Sequence, residues 1–155
     1  MRITNAFILI TLLFPSLSFG QIKVEDVGDG WKPLVDSAIN LIRDNDRDKY
    51  NLLISHCKSV EFIISDRSTT KPPDVIAIST GDLKLRSVNN IAAILVHESY
   101  HLYLFSSSTK MSEREEELAA YLYEYGFLCN LPNVEDWLFF NNINMIIRYQ
   151  ADPKR

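Results

Sequence analysis

The run from Val88 to Phe105, VNNIAAILVHESYHLYLF, constrains this chain more than any other stretch. It holds no glycine or proline, and Ser87 stands before it as an N-cap, so it reads as one helix. At about 100° per residue, Ile91, Ile94, Leu95, Leu102 and Phe105 fall in one apolar stripe. Val96 and Tyr103 make the opposite face apolar too, which places the helix deep in a core. Glu98 lies in the middle of that stripe, with His97 and His101 on its shoulder. A carboxylate there is costly unless it is paired or bound to something.

Residues 97–101 have the form H-E-x-x-H. Side chains four apart on a helix share a face, so His97 and His101 can hold one metal ion from the same side. A zinc ion bound by two imidazoles and a carboxylate keeps a fourth position for water, and Glu98 is placed to take a proton from that water. With three His and 20 acids in the chain, chance placement gives this pattern in about one sequence in two hundred. The helical, apolar context therefore carries the weight. The plainer alternative is a core helix with two hydrogen-bonded His and a salt-bridged Glu.

Residues 1–20, MRITNAFILITLLFPSLSFG, have the layout of a secretory signal peptide. Arg2 precedes an apolar run from Ala6 to Phe14, and Ser18 and Gly20 put small residues before a cut ahead of Gln21. The run is too short to span a bilayer comfortably, so no membrane span is expected in the mature chain. Export to the periplasm or the extracellular space follows, with residues 21–155 as one domain. Removing residues 1–20 takes away Arg2 and no acid, moving the formal charge from −4 to −5. With that charge and no basic patch interleaved with aromatics, nucleic acid is not an expected partner. Cys57 and Cys129 allow one disulfide or two free thiols, and neither has C-x-x-C spacing.

Residues 21–31 read as a loop entering the fold. Leu34, Val35, Ala38, Ile39, Leu41 and Ile42 then have helical spacing behind Pro33, and a second helix runs from about Asp48 to Cys57. His56 lies there, outside the motif, and reads as a surface or capping residue. Val60 to Ile64 and DVIAIST form two strands of a small sheet on either side of the turn DRSTTKPP, and the free edge of the second could pair with an extended peptide. A closing helix from Val134 to Tyr149 is expected behind Asn133, packed on the core through Trp137, Leu138, Phe140, Ile143, Ile146 and Ile147.

Ser112-Glu113-Arg114-Glu115 fits the S-x-x-E capping box, and a helix should run from Glu113 to about Cys129. It offers Glu113, Glu115, Glu116, Glu117 and Glu124, of which one is needed as a third metal ligand. Leu118, Tyr121, Leu122, Tyr125, Leu128 and Cys129 mark its expected buried side. Glu117 stands about 70° from the centre of that side and Glu116 points away. Glu113 and Glu124 lie near the line of Glu117 but further from the core, and Glu115 is used by the cap. Glu117 is the candidate ligand on this geometry.

Over about residues 75–130 the chain resembles the zincin metallopeptidases, of the gluzincin type. There H-E-x-x-H is followed by a second helix that gives a Glu, often as E-x-x-A. Glu117-Leu118-Ala119-Ala120 matches, and Glu116 with Ala119 also fits. The metzincin extension is missing, since Ser107 stands six residues after His101. The resemblance implies one Zn2+, peptide-bond hydrolysis and a backing helix beneath a small sheet. By matching position it implies His97 and His101 as ligands, Glu98 as general base and a Glu of the second helix as third ligand.

These readings together give an α+β fold, zincin-like, in which an H-E-x-x-H helix is followed by a Glu-bearing helix. The expected function is that of an exported zinc metallopeptidase acting on a protein or peptide, with a possible partner protein for substrate selection. Two alternatives share the ligands: a zinc amidase acting on cell-wall peptides, and a non-catalytic zinc-binding or partner-binding module. Activity on casein against cell-wall fragments separates the first from a peptidase. The general-base role of Glu98 separates the second.

Overall fold

The computed structural model describes residues 21–151. The signal-peptide reading and the last residues of the chain, 152–155, fall outside them. The chain enters through a short strand β1 (Lys23–Val24), then helices α1 (Trp31–Asn45) and α2 (Arg47–His56). Strands β2 (Ser59–Ile63), β3 (Thr69–Lys71) and β4 (Val75–Ser79) lead into a one-turn helix α3 (Thr80–Lys84). Three long helices follow: α4 (Val88–Ser106), α5 (Glu113–Leu128) and α6 (Asp136–Ala151). The fold is α+β, helices packed on a small mixed sheet.

A single residue separates the first two helices. The Asp46 backbone N–H closes α1 on the Ile42 carbonyl, while its Oδ1 accepts the Lys49 N–H at 3.1 Å and caps α2. Its Oδ2 accepts a hydrogen bond from Asn130 Nδ2 at 2.7 Å. That bond ties the corner to the end of α5. A cap that is also a long-range acceptor fixes the angle between α1 and α2.

The sheet order is β1-β2-β4-β3. β1, β2 and β4 run parallel, with Ser59 opposite Val75 and Ile63 opposite Ser79, and β3 returns antiparallel along β4. Consecutive residues Ile76, Ala77, Ile78 and Ser79 are all buried, the mark of a strand covered on both faces. Three expectations change here. Residues 21–31 are not only a loop, because Lys23 and Val24 pair with Ser59 and Val60. Part of the expected turn, Thr69–Lys71, is a strand. The β4 edge is not free for a peptide, because β3 occupies it.

α4 packs on α1, α2 and α5 at the centre of the molecule. Ile91, Leu95 and Leu102 have no exposed surface, and each such side chain contributes about 1.5–3 kcal/mol of burial. Ser87 caps it by accepting the Asn90 N–H at 3.1 Å. Ser87 Oγ and Asn89 Nδ2 both donate to the carboxylate of Glu135, at 2.7 Å each, which clasps the approach to α6 against the start of α4.

α6 begins at Asp136, two residues later than the sequence suggested, because Glu135 is drawn into that clasp. Its inward face carries Leu138 and Asn142. Trp137, Phe140 and Ile147 are exposed and do not pack on the core as expected. α6 packs mainly on α5, so a helix rich in apolar residues keeps some of them outside. Cys57 is buried and Cys129 exposed, and both are free thiols. Burial pushes the Cys57 thiol up to about 12, which makes it unreactive.

Candidate metal centre

α4 and α5 form an antiparallel hairpin. His97 and His101, one turn apart, face α5, and Glu117 reaches them from its first turns. His97 Nε2 and His101 Nε2 are 3.2 Å apart. Glu117 Oε2 lies 3.7 Å from His97 Nε2, and Oε1 lies 3.6 Å from His101 Nε2. His97, His101 and Glu117 thus form a group able to hold a metal ion, with one donor atom from each within 4.8 Å of the others. Three donors on one tetrahedral ion at bond lengths of about 2.0–2.1 Å sit about 3.4 Å apart. The observed separations bracket that value, so these residues fit a small cation.

Glu124 completes the arrangement. It is 7 % exposed, and His97 Nδ1 donates to its Oε2 at 3.1 Å. A carboxylate accepts only, so this bond places a proton on Nδ1 and leaves Nε2 turned toward His101 and Glu117. A histidine ligand held through its other nitrogen is oriented and made more basic. The Tyr121 ring, 4.4 Å from the His97 ring between centroids, supports it from α5.

The carboxylates shape the electrostatics. Burial alone would lower His97, but Glu117 and Glu124 beside it more than offset that and hold it at about 9. His101 is lowered by burial and by the charge of His97, against the pull of Glu117. The contact with His97 lowers Glu117 despite its burial. Glu98 is pushed up to about 7 by burial, which the charge of His97 counters and those of Glu117, Glu124 and Asp82 reinforce. A base poised near neutrality suits proton transfer. Glu98 opens into a cleft of about 370 Å³, bounded by α4, α5, α6 and residues 66–68.

Of the four residues singled out from the sequence, His97, His101 and Glu117 meet here, and Glu98 lines the cleft beside His97 and Glu117. Glu115 is spent on the capping box with Ser112, Glu113 is exposed, and His56 lies elsewhere, against Tyr103. Two expectations about α5 need correction. Its buried residues are Ala120, Glu124, Phe127 and Leu128, while Leu122, Tyr125 and Cys129 are exposed. The helix is therefore turned so that Glu117 and Glu124 run down its inner side. Glu124, placed further from the core by hydropathy, is instead one of its most buried acids. The physical reason is that His97 supplies the partner that makes a carboxylate tolerable inside. The seven-residue spacing of Glu117 and Glu124, two turns on one line, was the available signal.

Replacing Glu124 with Ala should weaken metal binding about 10–100-fold while the far-ultraviolet dichroism stays that of the parent. Unchanged affinity in a competition titration with a chelator would remove Glu124 from the site.

Comparison with protein families, curated proteins and solved structures finds no match for this chain.

Proposed function

We propose that this chain is an exported zinc-dependent metallopeptidase. The observation that carries the reading is the convergence of His97, His101 and Glu117, with Glu98 on the cleft that His97 and Glu117 also line. Two imidazoles and one carboxylate are the donor set of catalytic zinc sites that keep a position for water. When bound, the ion lowers the pKa of that water and polarises the scissile carbonyl.

The remaining work falls to the chain's own groups. His97, His101 and Glu117 would hold the ion, and Glu124 keeps the His97 ring in register through Nδ1. Glu98 takes a proton from the attacking water on its carboxylate and hands it to the leaving amine, so it ends the cycle as it began. Burial of Glu98, reinforced by the charges of Glu117, Glu124 and Asp82, keeps its basicity high enough for both transfers. The substrate is a protein or peptide, and a second protein could present it. Among the described residues no helix is long and apolar enough to cross a membrane.

Two measurements test this. The purified mature chain should contain one zinc by mass spectrometry and cleave casein rather than cell-wall fragments; a metal-free chain without activity on either would overturn the reading. The intact mass of the exported protein should begin at Gln21, and retention of Met1 would remove the export step.

A further inference from the structure

The cleft is longer than a metal site requires, and its two ends differ in chemistry. α6 runs parallel to α4 along one wall: the Glu135 clasp joins their starts, and Arg114 Nε on α5 donates to the Tyr149 carbonyl at the far end, at 2.7 Å. From Leu138 to Arg148 that wall spans about 15 Å, the length of about four residues of extended peptide.

Asn90 and Leu138 line the near end. Asn90 stands two turns before His97 on the same face of α4. It is 7 % exposed, and its Nδ2 has no hydrogen-bond partner. A buried orphan donor costs about 1–3 kcal/mol, a cost that a bound acceptor would relieve once the Asn90 amide turns toward the cleft.

Arg67 and Arg148 line the far end. The positive charges of both act on the Tyr149 phenol, and that of Arg67 also acts on Glu117. Neither guanidinium takes part in an ion pair among the described residues. Arg67 is nevertheless carried on a fixed loop. Ser79 Oγ donates to the Ser65 carbonyl, the Ser79 N–H donates to Ser68 Oγ at 2.9 Å, and Ser68 Oγ donates to Asp82 Oδ2 at 2.7 Å. A loop tied by three hydrogen bonds at Ser65 and Ser68 presents an unpaired arginine to the cleft, beside Asp66, and such a guanidinium can take an anion.

We infer that the cleft binds a peptide carboxylate, with Arg67 and Arg148 taking the carboxylate and Asn90 Nδ2 donating to a backbone carbonyl at the opposite end. The carboxylate is a free C-terminus or an acidic side chain. This rests on the peptidase reading of the same site and adds the class of substrate.

The test is calorimetric titration of the zinc-loaded and the metal-free chain with three probes: N-acetyl-trialanine, its C-terminal amide, and N-acetyl-Ala-Glu-Ala amide. The free acid should bind about tenfold or more tightly than the amide. Tighter binding of the glutamyl amide than of the trialanine amide assigns the site to an acidic side chain instead. The double variant Arg67→Gln/Arg148→Gln, both positions exposed, should lose the discrimination while keeping its melting temperature and zinc content. Asn90→Ala should weaken acid and amide alike. Equal binding of all three probes, or discrimination that survives in the double variant because the carboxylate goes to the metal, overturns the inference. An arginine-dependent preference in a chain that holds no zinc or hydrolyses nothing upholds the inference and overturns the peptidase reading.

Discussion

Glu98→Gln should keep the metal and the fold and lose hydrolysis, with kcat falling about 10²–10⁴-fold. Gln has nearly the same volume and fits the same buried position, so packing around Leu95 and Leu102 is preserved. It cannot accept the proton of the attacking water, and it cannot return one to the leaving amine. Because the change acts on the chemical step, KM should move little beside kcat. Removing a carboxylate that burial has already raised to about 7 also relieves crowding with Glu117 and Glu124, so the variant should be at least as stable as its parent. Steady-state kinetics, zinc content and thermal melting on the same preparation check all three parts. Wild-type turnover in Glu98→Gln would sink the mechanism.

His97→Ala and His101→Ala should each abolish stoichiometric metal. One imidazole and one carboxylate remain in either variant, too few donors for a tight zinc site. His97→Ala has the larger effect, because it also strands Glu124, a 7 % exposed carboxylate whose hydrogen bond goes to that ring. Leaving such a group unpaired costs about 1–3 kcal/mol or more. The metal-free His97→Ala chain should therefore melt below the metal-free His101→Ala chain. A ligand present at a thousand times its Kd adds about 4 kcal/mol to the folded state, so zinc should raise the melting temperature of the parent and of neither variant. Protons compete for the same nitrogens, and His97 is held at about 9 by its two carboxylates. Affinity should fall steadily as pH is lowered below that value. Full zinc retention after dialysis in either variant would remove the assigned ligands.

The long helix was legible because its apolar period, its cap at Ser87 and its lack of glycine and proline agree. The pairing of His97 with His101 follows from helix geometry alone. Hydropathy alone misplaces the inner face of α5: Leu122 and Tyr125 look like core and stand outside, while Glu124 looks like surface and lies inside. Hydropathy scores a side chain by its own solvation, whereas the rotation of α5 is set by what waits on α4. The histidines there reverse the preference of an acid. β1 and β3 were missed for a related reason. Two and three residues carry too little periodicity to read, and those strands exist because β2 and β4 offer them backbone partners. Trp137, Phe140 and Ile147 show the converse, apolar residues at helical spacing with no surface opposite them.

α6 is held across the cleft at its start by Glu135, at Asn142 by the Tyr121 carbonyl and at its end by Arg114. Such a wall is a jamb, not a door. Its width is settled before any guest arrives, so the cost of adapting falls on the guest. If the guest is a polypeptide, a segment already extended and stripped of its own secondary structure would enter at no further expense, and a helix or a hairpin would first have to melt. Selection would then be made on the looseness of the polypeptide offered, ahead of any reading of its side chains.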